Sequence, residues 1–245
     1  MFIDDKVFAQ ADKNNYLRVF IPQTPLVVLG SGNKPADEVY VNRCKKDNIN
    51  IVRRSGGGGA VVLSSDCIVL SFGLWVKDYF ANKYYFSNLN QALISSLSPI
   101  NPCLSKLDQK GLSDICLCEK KLVGTSLFRS RNYLLYQASI IYRKNLKLIE
   151  TYLPHPSREP DYRQKKSHKD FLTSLLEINE TIDQQDSCKK IQSTFTNFVL
   201  DKLKDDTTPA ITKQALYLQK RSLENRGLIF EAKTKTPQQE KNLTL

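Results

Sequence analysis

Arg53-Arg54-Ser55-Gly56-Gly57-Gly58-Gly59-Ala60-Val61 sets four consecutive glycines between two apolar runs. Residues 49–53 (INIVR) before it and 60–63 (AVVL) after it read as strands. A plain hairpin needs one or two glycines, and each further glycine costs conformational entropy. The run therefore points to a backbone that must come close to something, such as a bound anion or an acyl chain. Arg53 and Arg54 add fixed positive charge and forked donors suited to phosphate. No Gly-Lys-Ser/Thr follows, so this is not a P-loop. Nor does the run open a helix as GxGxxG does, because Ala60-Val61-Val62-Leu63 continues as strand.

Outward from this loop, residues 25–30 (PLVVLG) and 67–75 (CIVLSFGLW) read as buried strands. Over residues 86–97 the period changes: Phe86, Leu89, Leu93, Ile94 and Leu97 recur at helical spacing, with Ser87 placed to cap. Residues 113–118 and 121–123 read as strands joined at Glu119-Lys120, and 133–142 is the longest β-like run. Residues 145–152 suggest a short helix. Residues 182–204 place Cys188, Ile191, Phe195, Phe198, Val199 and Leu203 on one helical stripe, behind a capping-box pattern of Thr181 and Gln184. Thr212 is placed to cap a further helix ending before Gly227, and 233–245 reads as a frayed polar tail. The sum is an α+β domain: a mixed sheet with flanking helices and a helical C-terminal end. Regular βαβα alternation is missing, which argues against a doubly wound parallel fold.

The 245 residues, 41% hydrophobic and 25% charged, suit one globular domain of 1–232 plus the tail. No apolar run reaches the ~18–20 residues that cross a bilayer. The polar start MFIDDKVFAQADKNN has neither part of a signal peptide, so the expected compartment is the cytoplasm. Six cysteines, only two histidines and no CxxC pair exclude an obvious zinc or redox site; the expectation is reduced thiols and no metal ligands. A net charge of +11 favours an acidic or phosphorylated partner. Nucleic-acid recognition has no motif behind it here.

Two further segments bear on chemistry. In Lys120-Lys121-Leu122-Val123-Gly124-Thr125-Ser126 a lysine opens a strand, and a glycine three residues on admits a ligand. Such a lysine can neutralise a phosphate or polarise a carbonyl. The run Pro160 to Leu172 (PDYRQKKSHKDFL) reads as a solvated connection, with a basic binding face as the alternative. His168 sits there among cations that oppose its protonation.

Together, in this order, RRSGGGGAV, the Pro25–Asn33 strand and loop, Glu38-Val39, Gly111-Leu112-Ser113-Asp114-Ile115 and Lys121-Leu122-Val123-Gly124-Thr125-Ser126 resemble the lipoate–protein ligase A family. The resemblance covers about residues 20–176 and implies the biotin/lipoate protein ligase-like catalytic fold. It implies that ATP and Mg2+ activate lipoate or octanoate as acyl-AMP. The acyl group then passes to a lysine of an acidic lipoyl domain or glycine-cleavage H protein.

On this resemblance Lys121 is the catalytic residue, binding carbonyl and α-phosphate oxygens. Arg53, Arg54, Ser55, Gly56, Gly57, Gly58, Gly59 and Ala60 line the acyl-adenylate, with Gly124, Thr125 and Ser126. Asp114 is expected to help hold the magnesium or phosphate region. The chain also departs from the pattern. Gly56 replaces a more usual serine, and Gln137-Ala138-Ser139 replaces His-Gly-Thr. The family's small C-terminal accessory domain is expected to be absent, which suggests a separate accessory subunit. The alternatives are an octanoyl or lipoyl transferase that uses an acyl thioester and a cysteine, and a non-catalytic binding protein.

Overall fold

The computed structural model describes residues 16–203 except Tyr79 and Ser157. The Thr212 helix, the 233–245 tail and the first fifteen residues lie outside the described residues. The strands are β1 (Tyr16–Phe20), β2 (Leu26–Leu29), β3 (Asn50–Arg53), β4 (Val61–Leu63), β5 (Cys67–Trp75), β6 (Leu107–Lys110), β7 (Asp114–Leu117), β8 (Lys120–Ser130) and β9 (Tyr133–Ile141). Helices α1 (Pro35–Glu38), α2 (Val41–Lys46), α3 (Asn82–Leu97), α4 (Leu146–Tyr152), α5 (His168–Phe171), α6 (Leu175–Ile178) and α7 (Gln184–Leu203) complete the fold. Short 3-10 turns at Pro102–Lys106 and Asp161–Arg163 join them.

Six strands form one sheet in the order β1-β5-β9-β8-β7-β6, antiparallel throughout. The other three form a small sheet, β3-β2-β4, in which β2 and β3 run parallel and β4 antiparallel. The mixture of directions therefore resides in the small sheet. β2 is apolar at every position because both its faces are covered. Val27 and Leu29 pack toward α2 and α4 with Cys44, Tyr152 and Leu153, while Val28 packs on Val69 of the large sheet.

Alternation on the large sheet separates core from cleft. Ile68, Leu70, Phe72 and Leu74 of β5, with Leu134, Tyr136, Ala138 and Ile140 of β9, join the main core with α3 and α7. The predicted α7 stripe is found there: Ile191, Phe195, Val199 and Leu203 are all buried. Val69, Gln137 and Ser139 alternate with those core residues and line the cleft between the sheets.

The predicted strands and the 145–152 helix are all found, with local corrections. α3 begins at Asn82, so Ser87 lies inside it and caps nothing. Its first turn carries Tyr85, which is fully buried, and packing there substitutes for a side-chain cap. α7 is capped by Asp183, whose Oδ1 accepts from Asp186 N at 2.7 Å; Thr181 instead donates to Asn179. The β7–β8 turn falls at Cys118-Glu119, with Cys118 at φ 54°, one residue before the expected position. β8, not β9, is the longest strand. The 160–172 run is solvated along much of its length but anchored at three points: Phe171 is buried, Arg163 is 5% exposed, and Leu172 bridges to Lys121.

Candidate active site

The glycine run leaves β3 of the small sheet and enters β4, and it is held by its own arginines. Arg53 Nη1 donates to the carbonyls of Gly30, Ser31 and Asn33 at 2.8, 3.1 and 2.8 Å, fixing the loop after β2. Arg54 donates through Nη2 to Gly57 O at 2.6 Å and to Gly59 O at 2.9 Å. The sequence suggested that both guanidinium groups would face phosphate or shape the loop. In the structure these nitrogens organise loops, and of the two arginines only Arg54 lines the cleft.

Glycine is required by closeness at two places. A Cβ on Gly30 would lie 1.9 Å from Gly58 O, so the two loops touch backbone to backbone. A Cβ on Gly56 would lie 2.9 Å from Ser126 Oγ, so the glycine leaves room for that side chain. Gly58 itself has φ +94°. Ser31 N donates to Gly56 O at 2.9 Å, and Asn33 Nδ2 to Gly58 O at 3.1 Å.

Across the cleft stands Lys121, at the start of β8. A register shift opposite Ile115/Cys116 leaves Leu122 without a partner in the β7–β8 ladder, because Ile115 pairs with Val123 and Cys116 with Lys121. Such a bulge turns one extra residue through the pleat. It puts Lys121 on the same face as Gly124, three positions on, where strict alternation would have opposed them. A Cβ at 124 would sit 3.2 Å from Lys121 Cε and Nζ, so the glycine makes room for the lysine stem. The physical content of the Lys-x-x-Gly spacing is this bulge and this gap.

Lys121 Nζ pairs with Asp114 Oδ1 at 2.7 Å. The other oxygen, Oδ2, accepts from the Tyr162 hydroxyl at 2.6 Å. Burial, and then Asp114 itself, raise the Tyr162 phenol from its ordinary value, so it remains a donor. Both carboxylate oxygens are thus engaged within the protein. Among the described residues no three His, Cys, Asp or Glu side chains converge as metal ligands. Magnesium is commonly held by one or two carboxylates together with ligand phosphates; Asp114 is one such carboxylate in the cleft wall, with Lys121 on one oxygen and Tyr162 on the other.

The cleft between the sheets has a volume of about 760 Å³, within the range of small-molecule sites. Of the residues singled out in the sequence, Arg54, Gly58, Gly59, Ala60, Asp114, Lys121, Gly124, Thr125 and Ser126 line it. Arg53, Ser55, Gly56 and Gly57 are not part of its wall. Thr125 Oγ1 is occupied with Ser113 O at 2.9 Å. Lys34, Lys110, Arg158 and Arg163 add positive charge, which suits an anionic ligand.

Sequence reasoning gave no role to Tyr162, placed Glu38 only within the family pattern, and counted Arg163 only among the basic residues of the 160–172 run. Glu38 is buried, lines the cleft and accepts from Ala60 N at 3.2 Å. The Arg163 guanidinium lies over the Phe171 ring at 4.6 Å, and burial lowers its pKa. Near it His168 is pushed down to about 4, first by burial and then by Arg163 and His155.

Burial raises the thiol of Cys67, which lines the cleft, to about 11, and it raises that of Cys116 as well. A nucleophilic cysteine needs the opposite shift.

Residues 1–196 match the model of the lipoyl protein ligase A/B catalytic domain. The chain belongs to that family. Within the family, the chain is 25% identical over 182 residues to a Plasmodium falciparum protein named inactive lipoate–protein ligase 2, covering 61% of this chain and 47% of that one. It is 23% identical over 207 residues to lipoate-protein ligase A of Psychrobacter cryohalolentis, covering 84% and 58%. The chain thus spans about half the length of these curated relatives.

Among solved structures, the fold is shared with a bi-partite lipoate protein ligase from Thermoplasma acidophilum, at TM-score 0.64 and 19% identity over 91% of this chain and 85% of that one. It is shared equally with a lipoate-protein ligase A bound with ATP, at TM-score 0.64 and 18% identity, covering 91% and 87%. No described helix is long and apolar enough to cross a membrane.

Proposed function

We propose that this chain is a lipoate or octanoate protein ligase of the cytoplasm that works through an acyl-adenylate. The observation that carries the reading is Lys121, held by Asp114 over Gly124, in one cleft with the glycine run. The acid's carboxylate would attack the α-phosphate of ATP, and pyrophosphate would leave. The amine of an acceptor lysine would then attack the acyl carbonyl, and AMP would leave. Charge develops on oxygen in both steps, and a fixed ammonium stabilises it; one preorganised donor is commonly worth about 2.7–4 kcal/mol. The +11 charge favours encounter with acidic lipoyl domains or an H protein. A structural neighbour is a bi-partite lipoate protein ligase described with its E2 lipoyl domain, which favours a lipoyl domain as the acceptor.

The thioester-transferase reading is weakened by the raised Cys67 and Cys116 thiols. The binding-only reading draws on Gln137-Ala138-Ser139 and on the relative that is named inactive.

The test is acid-dependent ATP–pyrophosphate exchange with lipoate and with octanoate, on wild type and Lys121→Ala. Exchange that disappears in the variant supports the adenylate mechanism. Tight acid binding without exchange, with and without added accessory subunit, would replace it by the binding-only reading.

A further inference from the structure

We propose that Tyr162 is a positioning residue for Lys121, acting through Asp114; the catalytic consequence rests on the ligase reading above. Tyr162 lies 48 residues from Asp114 in sequence, in the 3-10 turn Asp161–Arg163. Its hydroxyl approaches Asp114 Oδ2 at 2.6 Å, while Oδ1 holds Lys121 Nζ at 2.7 Å. Asp114 is 6% exposed, so water is a poor substitute donor. A carboxylate turns easily about its last torsion. With a donor on each oxygen it has one favoured orientation, and that orientation fixes where the ammonium stands.

Independent contacts hold the tyrosine in place. Its ring packs against Phe171 at 5.5 Å between centroids, and Phe171 is itself covered by the Arg163 guanidinium at 4.6 Å. Beyond α5 the chain pairs with the main chain of the lysine: Thr173 N donates to Lys121 O at 2.9 Å, and Leu172 bridges beside it. One segment, 160–173, therefore seats both the backbone of Lys121 and the carboxylate that aims its side chain. The Cys116 thiol touches the same hydroxyl at 3.6 Å, so the phenol is enclosed on the strand side as well.

Removing the hydroxyl frees Oδ2. The ammonium then swings to bridge both oxygens and withdraws from the cleft. Tyr162→Phe is the discriminating variant, because it keeps the ring on Phe171 and deletes only the donor. Its kcat for acid-dependent ligation is expected to fall about 10- to 100-fold, the range of one charge-assisted hydrogen bond. KM for acid and ATP is expected to stay within about threefold, since uniform binding is untouched.

A second measurement does not need turnover. Competitive acylation of lysines, read by mass spectrometry against exposed Lys45, is expected to show Lys121 labelling slowed several-fold in Tyr162→Phe. In an Asp114→Asn background the same change should have no further effect.

A merely structural tyrosine would leave the phenylalanine variant at wild-type kcat and wild-type Lys121 labelling, and that result would overturn the proposal. If wild type shows no ligation at all, the functional reading falls, while the labelling comparison still decides whether Tyr162 positions Lys121.

Discussion

Gly30→Ala tests whether the two loops form one rigid wall. A Cβ at 30 would stand 1.9 Å from Gly58 O, 3.0 Å from Gly58 C and 3.3 Å from Gly57 C. Ordinary contact begins near 3.4 Å, so the 56–59 backbone must retreat by about 1.5 Å. That movement stretches Asn33 Nδ2 to Gly58 O, now 3.1 Å, and Ser31 N to Gly56 O, now 2.9 Å. The displaced atoms are backbone, tethered by Arg54, and cannot escape by a rotamer change. Overpacking of this kind costs about 1–3 kcal/mol. For a chain of this size that lowers Tm by about 3–10 °C. Gly32→Ala is the internal control, because a Cβ there meets nothing within 4 Å. Thermal and urea unfolding of the three proteins decide the matter. A Gly30→Ala protein as stable as Gly32→Ala would refute the close approach and the shared wall with it.

Four more outcomes are expected. Gly56→Ser should destabilise through Ser126, and Gly56→Ser with Ser126→Gly should recover most of the loss in a double-mutant unfolding cycle. His168 is held down to about 4 from 6.5, so the unfolded chain takes up its proton first. Its contribution is complete above about pH 6.5 and is lost between there and about pH 4; His168→Gln should flatten urea midpoints across that window. In native protein the exposed Cys103 and Cys118 should react quickly with a thiol reagent, and the buried Cys44, Cys116 and Cys188 only on unfolding. Cys67→Ala and Cys116→Ala should retain ligation, whereas a thioester transferase would lose it.

The strands and the α7 stripe were legible because alternation and helical period reflect burial directly. Caps were less so: the capping-box pattern pointed to Thr181, whereas the chain enters α7 so that Asp183 caps it. The motifs located the site, but contacts assigned the roles. Arg53 looks like a phosphate ligand until three carbonyls from a loop some twenty residues earlier are seen around it. The Lys-x-x-Gly spacing was visible, yet the bulge that brings both residues to one face exists only in the pairing with β7. Tyr162 left no local signal, because its partner is distant in the chain and its neighbours read as solvated.

The bulge and the lysine belong to the six-stranded sheet, while the glycine run belongs to the three-stranded one. Neither sheet carries a usable fraction of the site alone. The cleft comes into being only when Val28, Val52 and Leu63 close on Val69. A nascent or partly melted chain therefore has no weakened version of the site, only its unassembled halves. Ligand binding by this protein would count fully docked molecules, and any ligand of the cleft would act as a clamp across the seam between the sheets.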